Sequence, residues 1–339
     1  MIGNREKRRV VVFGATGNLG AYSVVQLKND GYDVVAVGSR ISDNSFFTDM
    51  GVEYYSVDIC NAESFKILPQ KEIYAVVHFA GNLPSRYAYN PGALIDSIAR
   101  GTLNVLEYIR AVGAVKIVFP QTPFDLWYLH NTSTPIKADE LRSFPLTGDH
   151  SVYTIAKNAA VDLIEHYHST IGLSRYVLRF FTIYQYHPNA YHYADGVRKV
   201  MPYRILMDKA MKGEDIEIWG DPDRTKEIVY IKDFTRLVSL CVASSCEGGI
   251  YNVGGKCVSL KEQIQGIIDV FSPKDHVSKI KYCPEKPNSL LAKFDISKTQ
   301  AELGYEQRFS YKEAMTDFYR EMQAEPFAKL WGTKADYLK

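Results

Sequence analysis

The sequence predicts an α/β protein built on a doubly wound parallel sheet, with a smaller C-terminal α/β domain. Three observations carry that expectation. Short β-branched runs alternate with helical stretches from Arg8 onward, the pattern of βαβ units. Six such strands fall in the first half of the chain, enough for an open sheet covered on both faces. A glycine-rich turn, Gly14-Ala-Thr-Gly17-Asn-Leu-Gly20, separates the first strand from the first helix.

Taken in order, Arg9–Phe13 reads as a buried strand because it is an almost unbroken β-branched run. A helix over 18–30 follows, and Gly31-Tyr-Asp33 turns the chain into the strand Val34–Val37. Further strands are expected at Glu53–Val57, Tyr74–Phe79, Val115–Phe119 and Arg175–Phe180, with helices near 61–68, 92–112 and 151–171. Beyond Phe181 the rhythm breaks into the aromatic stretch Tyr184–Tyr193, then a helix near 197–212. Strands at Ile216–Trp219, Glu227–Ile231 and Gly249–Val253 alternate with helices near 233–244 and 259–271. At least one of these later strands is expected to join the first sheet.

Composition narrows the classes of function. The 339 residues carry 40 Lys+Arg against 39 Asp+Glu, a net charge of +1, which argues against a nucleic-acid surface. No run approaches the length of a membrane span. Five widely spaced cysteines without a C-x-x-C pair suggest reduced thiols and a cytoplasmic setting. His187 and His192 lack the spacing and partners of a metal site, so no metal is expected. The 24 tyrosines read mostly as packing, since the ring is large and its tip polar.

The turn after the first strand is chemically specific in this order of elements. Glycines let backbone approach a pyrophosphate, and the following helix N-terminus favours its charge, so a Rossmann-type dinucleotide site is expected. The tip of the second strand reads Val37-Gly-Ser39-Arg40, without the carboxylate that accepts from an NAD ribose. Ser39 and Arg40 therefore point to NADP over NAD. Tyr153-Thr-Ile-Ala-Lys157 places a phenol and an ammonium on one helical face, where the cation could favour the ionised phenol.

These motifs resemble the extended short-chain dehydrogenase/reductase family, in its NAD(P)-dependent epimerase/dehydratase branch, from about Arg8 to about Phe318. The likeness includes Asp58-Ile59, Val77-His-Phe-Ala-Gly81 and Gly101-Thr-Leu-Asn-Val-Leu-Glu107. It continues through Leu178-Arg-Phe-Phe-Thr-Ile-Tyr184, Val229-Tyr-Ile-Lys-Asp233 and Tyr251-Asn-Val-Gly254. The resemblance implies a cofactor site of Gly14, Thr16, Gly17, Asn18, Leu19, Gly20, Ser39, Arg40, Asp58, Ile59, Phe79, Ala80, Gly81, Tyr153, Lys157 and Phe180. It implies Tyr153 as the acid/base, Lys157 as its partner and Thr122 as the hydroxyl beside the reacting oxygen. Substrate contacts are implied at Thr122, Phe124, Thr182, Lys226 and Lys286, with Tyr184, Tyr186, Tyr191 and Tyr193 in the pocket-forming stretch.

The family acts mostly on nucleotide sugars, so a sugar-nucleotide epimerase or 4-ketoreductase is implied. Thr182, Gln185, Lys226 and Lys286 depart from the usual Asn, Gly and two arginines, which keeps a reductase of a non-nucleotide carbonyl compound open. A non-catalytic NADP-sensing regulator is the other alternative. Asp125 lies one position beyond the acid of sugar 4,6-dehydratases, which argues against elimination of water. The expected division is a dinucleotide domain of 8–181 and 228–256, a substrate domain of 182–227 and 257–325, and a tail of 326–339. Relatives pair through the Tyr-Lys helix, and Ile155, Ala159, Ala160, Leu163 and Tyr167 suggest a homodimer here. His166 and His168 are expected at the surface or that interface.

Overall fold

A computed structural model of the chain describes residues 8–84, 89–194, 196–288 and 292–337. The first half runs β1 (Arg9–Phe13), α1 (Asn18–Asn29), β2 (Asp33–Gly38), β3 (Glu53–Ser56) and β4 (Ile73–His78). It continues with α2 (Pro91–Leu94), α3 (Gly101–Val112), β5 (Lys116–Gln121), α4 (Asp149–Ile171) and β6 (Ser174–Phe180). These six strands and a seventh, Gly248–Val253, form one parallel sheet in the order β3-β2-β1-β4-β5-β6 followed by 248–253. The late strand lies beside β6, as the sequence suggested for at least one later strand.

Alternation along β1 explains why its sequence is apolar throughout. Val10 and Val12 enter one core, while Val11 and Phe13 enter the core on the opposite face. Helices cover both faces, so neither set meets water. The strand order reverses between β1 and β4, and the crevice beyond their C-terminal ends is where such sheets take ligands.

Three local expectations change. Residues 197–200 are a strand paired antiparallel with Tyr191–Ala194, and the helix spans only Pro202–Met211. Pro202 stands in the first helical turn and disfavours helical geometry at the residue before it, so the helix cannot start at 197. The stretch near 92–112 divides into α2, a π-helical turn at Ile95–Arg100, and α3. Residues 62–67 form a 3-10 helix.

Smaller two-stranded pairings order the remainder: Ile216–Trp219 with Ile280–Cys283, and Thr225–Glu227 with Cys257–Ser259. Within residues 326–337, Phe327, Leu330 and Trp331 are buried. All five cysteines are unpaired. Among the described residues no helix is long and apolar enough to cross a membrane.

Candidate active site

The glycine-rich turn is shaped by contacts that only glycine permits. Gly14 has φ +79°, and a Cβ there would lie 2.7 Å from the Ala80 nitrogen. A Cβ on Gly20 would lie 2.1 Å from the Gly14 carbonyl oxygen, so α1 packs against the turn with no space to spare. Gly20→Ala should therefore cost about 1–3 kcal/mol of stability and weaken dinucleotide binding, read by thermal unfolding and titration.

A cavity of about 320 Å³ opens above this turn, lined by Gly14, Thr16, Gly17, Ser39, Asp58, Ile59, Phe79, Ala80 and Gly81. Backbone-rich walls at a helix N-terminus fit a pyrophosphate, and the absence of room for side chains at Gly14 and Gly20 fits its close approach. Gly20 lies buried behind the turn, and Asn18 faces an adjoining cavity of about 770 Å³. Arg40 does not line the 320 Å³ cavity; its guanidinium donates to the carbonyl of Leu330. The cation expected to read a 2′-phosphate is directed elsewhere.

A second cavity of about 360 Å³ collects Thr122, Phe124, Tyr153, Lys157, Phe180, Thr182 and Leu19, and shares Phe79, Gly81 and Asn82 with the first. Residues from the ends of β4, β5 and β6 and from the N-terminal part of α4 thus meet at one place. Thr122 caps the 3-10 turn Pro123–Leu129, its Oγ1 accepting from the Phe124 nitrogen at 3.2 Å. Phe124 lies against His150, with ring centroids 4.3 Å apart, and His150 meets Tyr153 edge-on at 6.4 Å.

Lys157 is buried, and its Nζ donates to the Pro120 carbonyl at 2.9 Å. It also stands 4.4 Å over the Phe119 ring and 5.8 Å from the centre of the Tyr153 ring. Burial lowers the Lys157 ammonium to about 7 and raises the Tyr153 phenol above its ordinary value. Desolvation is the cause of both shifts, since each charged form loses water on burial. The lysine shift has a measurable consequence. Between about pH 7 and its ordinary value of 10.5 the native state holds fewer protons than the unfolded chain, so stability rises with pH in that window. Raising pH from 7 to 9 should add up to about 2 kcal/mol in urea unfolding, and Lys157→Met should flatten that slope.

Behind the site lies a fully buried ion pair. Asp125 accepts from Arg179 Nη2 at 2.8 Å and Nε at 3.2 Å, with both side chains at 0% exposure. Arg179 Nη1 also donates to the Ala138 carbonyl and to Asn252 Oδ1, each at 3.1 Å. The arginine of Leu178–Tyr184 and the asparagine of Tyr251–Gly254 thus hold the Thr122 turn from behind. Asp125 does not line the 360 Å³ cavity.

Other expected substrate residues are not brought together. Lys286 pairs with Glu217 at 2.6 Å and stands 4.5 Å over the Trp219 ring, and Lys226 is exposed on the strand Thr225–Glu227. Neither lines the 360 Å³ cavity. Tyr191, Tyr193, His187 and His192 line the 770 Å³ cavity, which shares Asn82, Leu83 and Pro84 with the 360 Å³ one. Tyr184 and Tyr186 instead enter the core, Tyr186 donating to Glu325 at 3.0 Å. His187 is lowered to about 4, chiefly by burial, with Arg40 and Arg204 acting in the same direction. No group of three or more His, Cys, Asp or Glu among the described residues could hold a metal ion.

Sequence reasoning missed Gln121, His150 and Asn82. Gln121 Nε2 donates to Asn158 at 2.9 Å, and its Oε1 accepts from the Thr122 nitrogen at 2.9 Å, fixing the residue that carries the hydroxyl. Its position immediately before Thr122 was the available signal. Asn82 lines all three cavities and is tied to the π-helical turn through Ser97 at 3.0 Å, a contact no sequence spacing announces.

The chain is similar to known proteins in sequence and in fold. The chain is 28% identical to a UDP-glucuronate 4-epimerase of Thermodesulfobacterium geofontis over 85% of its own length and 84% of the relative's. Its fold matches the crystal structure of a UDP-N-acetylglucosamine 4-epimerase from Bacillus cereus with TM-score 0.73 at 22% identity, covering 93% and 96% of the two chains. A UDP-glucuronic acid 4-epimerase from Bacillus cereus, solved in complex with NAD, matches with TM-score 0.69 at 20% identity, covering 94% and 99%. Residues 10–254 match the NAD dependent epimerase/dehydratase family, and the chain is therefore an enzyme of that family, within the extended short-chain dehydrogenase/reductases.

Proposed function

We propose that the chain is an NAD-dependent nucleotide-sugar 4-epimerase. The observation that carries the reading is the convergence of Tyr153, Thr122 and Lys157 on one cavity that opens onto the glycine-lined one. Bound nicotinamide supplies reversible hydride exchange at the sugar carbon. Tyr153 takes the proton from the reacting hydroxyl and returns it, and Thr122 donates a hydrogen bond to the same oxygen. Lys157, donating to the Pro120 carbonyl, keeps that end of α4 fixed beside the phenol.

Epimerisation is favoured over 4,6-dehydration because Asp125, the carboxylate next in sequence, is locked on Arg179 outside the cavity. NAD is favoured over NADP because Arg40 is engaged by Leu330, and because relatives of this fold carry NAD. A nucleotide sugar is the substrate class supported by the relatives' activities.

Incubation with NAD and UDP-glucose, UDP-glucuronate or UDP-N-acetylglucosamine, followed by NMR of the sugar ring protons, tests the reading. At least one should invert at C4 without net reduction of NAD. Inversion of none, together with NADPH consumption on a 4-keto sugar, would instead identify a ketoreductase.

We also propose a homodimer through α3 and α4, where Leu103 and Ile155 are exposed apolar side chains. Ala160 and Tyr167, expected on that surface, are buried within the protomer, so the contact would rest on Ile155, Leu163 and α3. Sedimentation should give twice the 38.4 kDa chain mass.

A further inference from the structure

The C-terminal residues form a clasp at the glycine-lined cavity. Trp331 stacks on Phe327 with centroids 4.4 Å apart and lies 4.5 Å from the His187 ring. Its indole N–H donates to the Thr16 carbonyl at 2.9 Å, inside the glycine-rich turn itself. On the other side, Asn44 donates to the Lys329 carbonyl at 3.0 Å and Lys329 pairs with Asp49 at 2.5 Å. One short helix, Ala328–Trp331, therefore touches both backbone segments that frame the cavity, the turn after β1 and the loop after β2.

Arg40 is the residue this clasp captures. Its guanidinium donates to Leu330, one of the last carbonyls of that helix, where the backbone carries partial negative charge. The Tyr54 hydroxyl donates to Arg40's own carbonyl at 2.6 Å and fixes the backbone from which the side chain departs. Ser39 is then the side chain of this loop that faces the cavity, a neutral hydroxyl suited to a ribose hydroxyl and unable to neutralise a phosphate.

We propose that segment 326–337 sets the dinucleotide preference: by engaging Arg40 it withdraws the charge that a 2′-phosphate requires, so that the chain takes NAD over NADP. The inference rests on reading the cavity as a dinucleotide site. To bind NADP, Arg40 must leave Leu330, which removes one of the contacts that hold the clasp. NAD makes no such demand.

The test is titration of the full-length protein with NAD and NADP, with amide hydrogen exchange followed over 326–337. NAD should bind at least about 10-fold more tightly, as expected when one charge-assisted contact is denied to NADP. Saturating NADP should accelerate exchange in 326–337, and NAD should not. Trp331→Ala loosens the clasp and should raise NADP affinity about 10-fold. Adding Arg40→Gln to that variant should remove the gain. If Trp331→Ala fails to fold, the exchange measurement on the unaltered chain decides. Equal affinity for both dinucleotides with unchanged exchange, or a folded Trp331→Ala protein with an unaltered preference, overturns the proposal. Failure to bind either dinucleotide overturns instead the reading of the cavity on which it rests.

Discussion

Tyr153→Phe is expected to lower turnover about 10³-fold while leaving dinucleotide affinity within about 3-fold, because a positioned acid/base contributes 10²–10⁴ and the ring itself remains. The retained ring keeps the edge contact with His150, so the cavity wall is preserved and the loss reports the hydroxyl alone. A factor of 10³ corresponds to about 4 kcal/mol of transition-state stabilisation. Steady-state kinetics and a dinucleotide titration on the same preparation separate the two effects. Unchanged turnover would remove Tyr153 from the chemistry.

Asp125→Ala should cost about 3–5 kcal/mol in urea unfolding, the size expected when one partner of a buried ion pair is removed. The substitution leaves the Arg179 guanidinium buried, with only the Ala138 carbonyl and Asn252 Oδ1 to accept from it. Burial already pushes the Asp125 carboxyl up, and Arg179 pulls it back, so the pair is sustained by its own contacts. Exchanging both residues for apolar ones, Asp125→Leu with Arg179→Met, should recover most of the loss. Recovery would mark the pair as scaffold behind Thr122. A single-variant cost under about 1 kcal/mol would mean that the site is not held in this way.

The parts legible in the sequence are those fixed by short-range rules. β1 is an apolar run because both its faces are buried, and the turn Gly14–Gly20 admits no Cβ at two of its glycines. Tyr153 and Lys157 share a helical face at fixed spacing, and both reach the cavity. What escaped depends on distant partners. Arg40 reads as a phosphate-binding cation until Leu330, 290 residues later, takes its guanidinium. Lys286 likewise has its charge answered by Glu217, 69 residues earlier. Ala160 and Tyr167 share the helix of Ile155, yet the packing of α4 on α3 and the sheet turns them inward. The strand at 197–200 is a local exception: it pairs with Tyr191–Ala194 just before it, and neither segment is long enough to declare itself.

Carbon-bound deuterium placed at C4 of the converted UDP-sugar tests the central claim most directly. In the proposed epimerisation, the atom leaving C4 returns to C4 within a single binding event. The inverted sugar should therefore keep its deuterium at C4 over many turnovers, with no net reduction of NAD. Product carrying hydrogen from water at C4, or reduced dinucleotide released in proportion to product, would contradict the account.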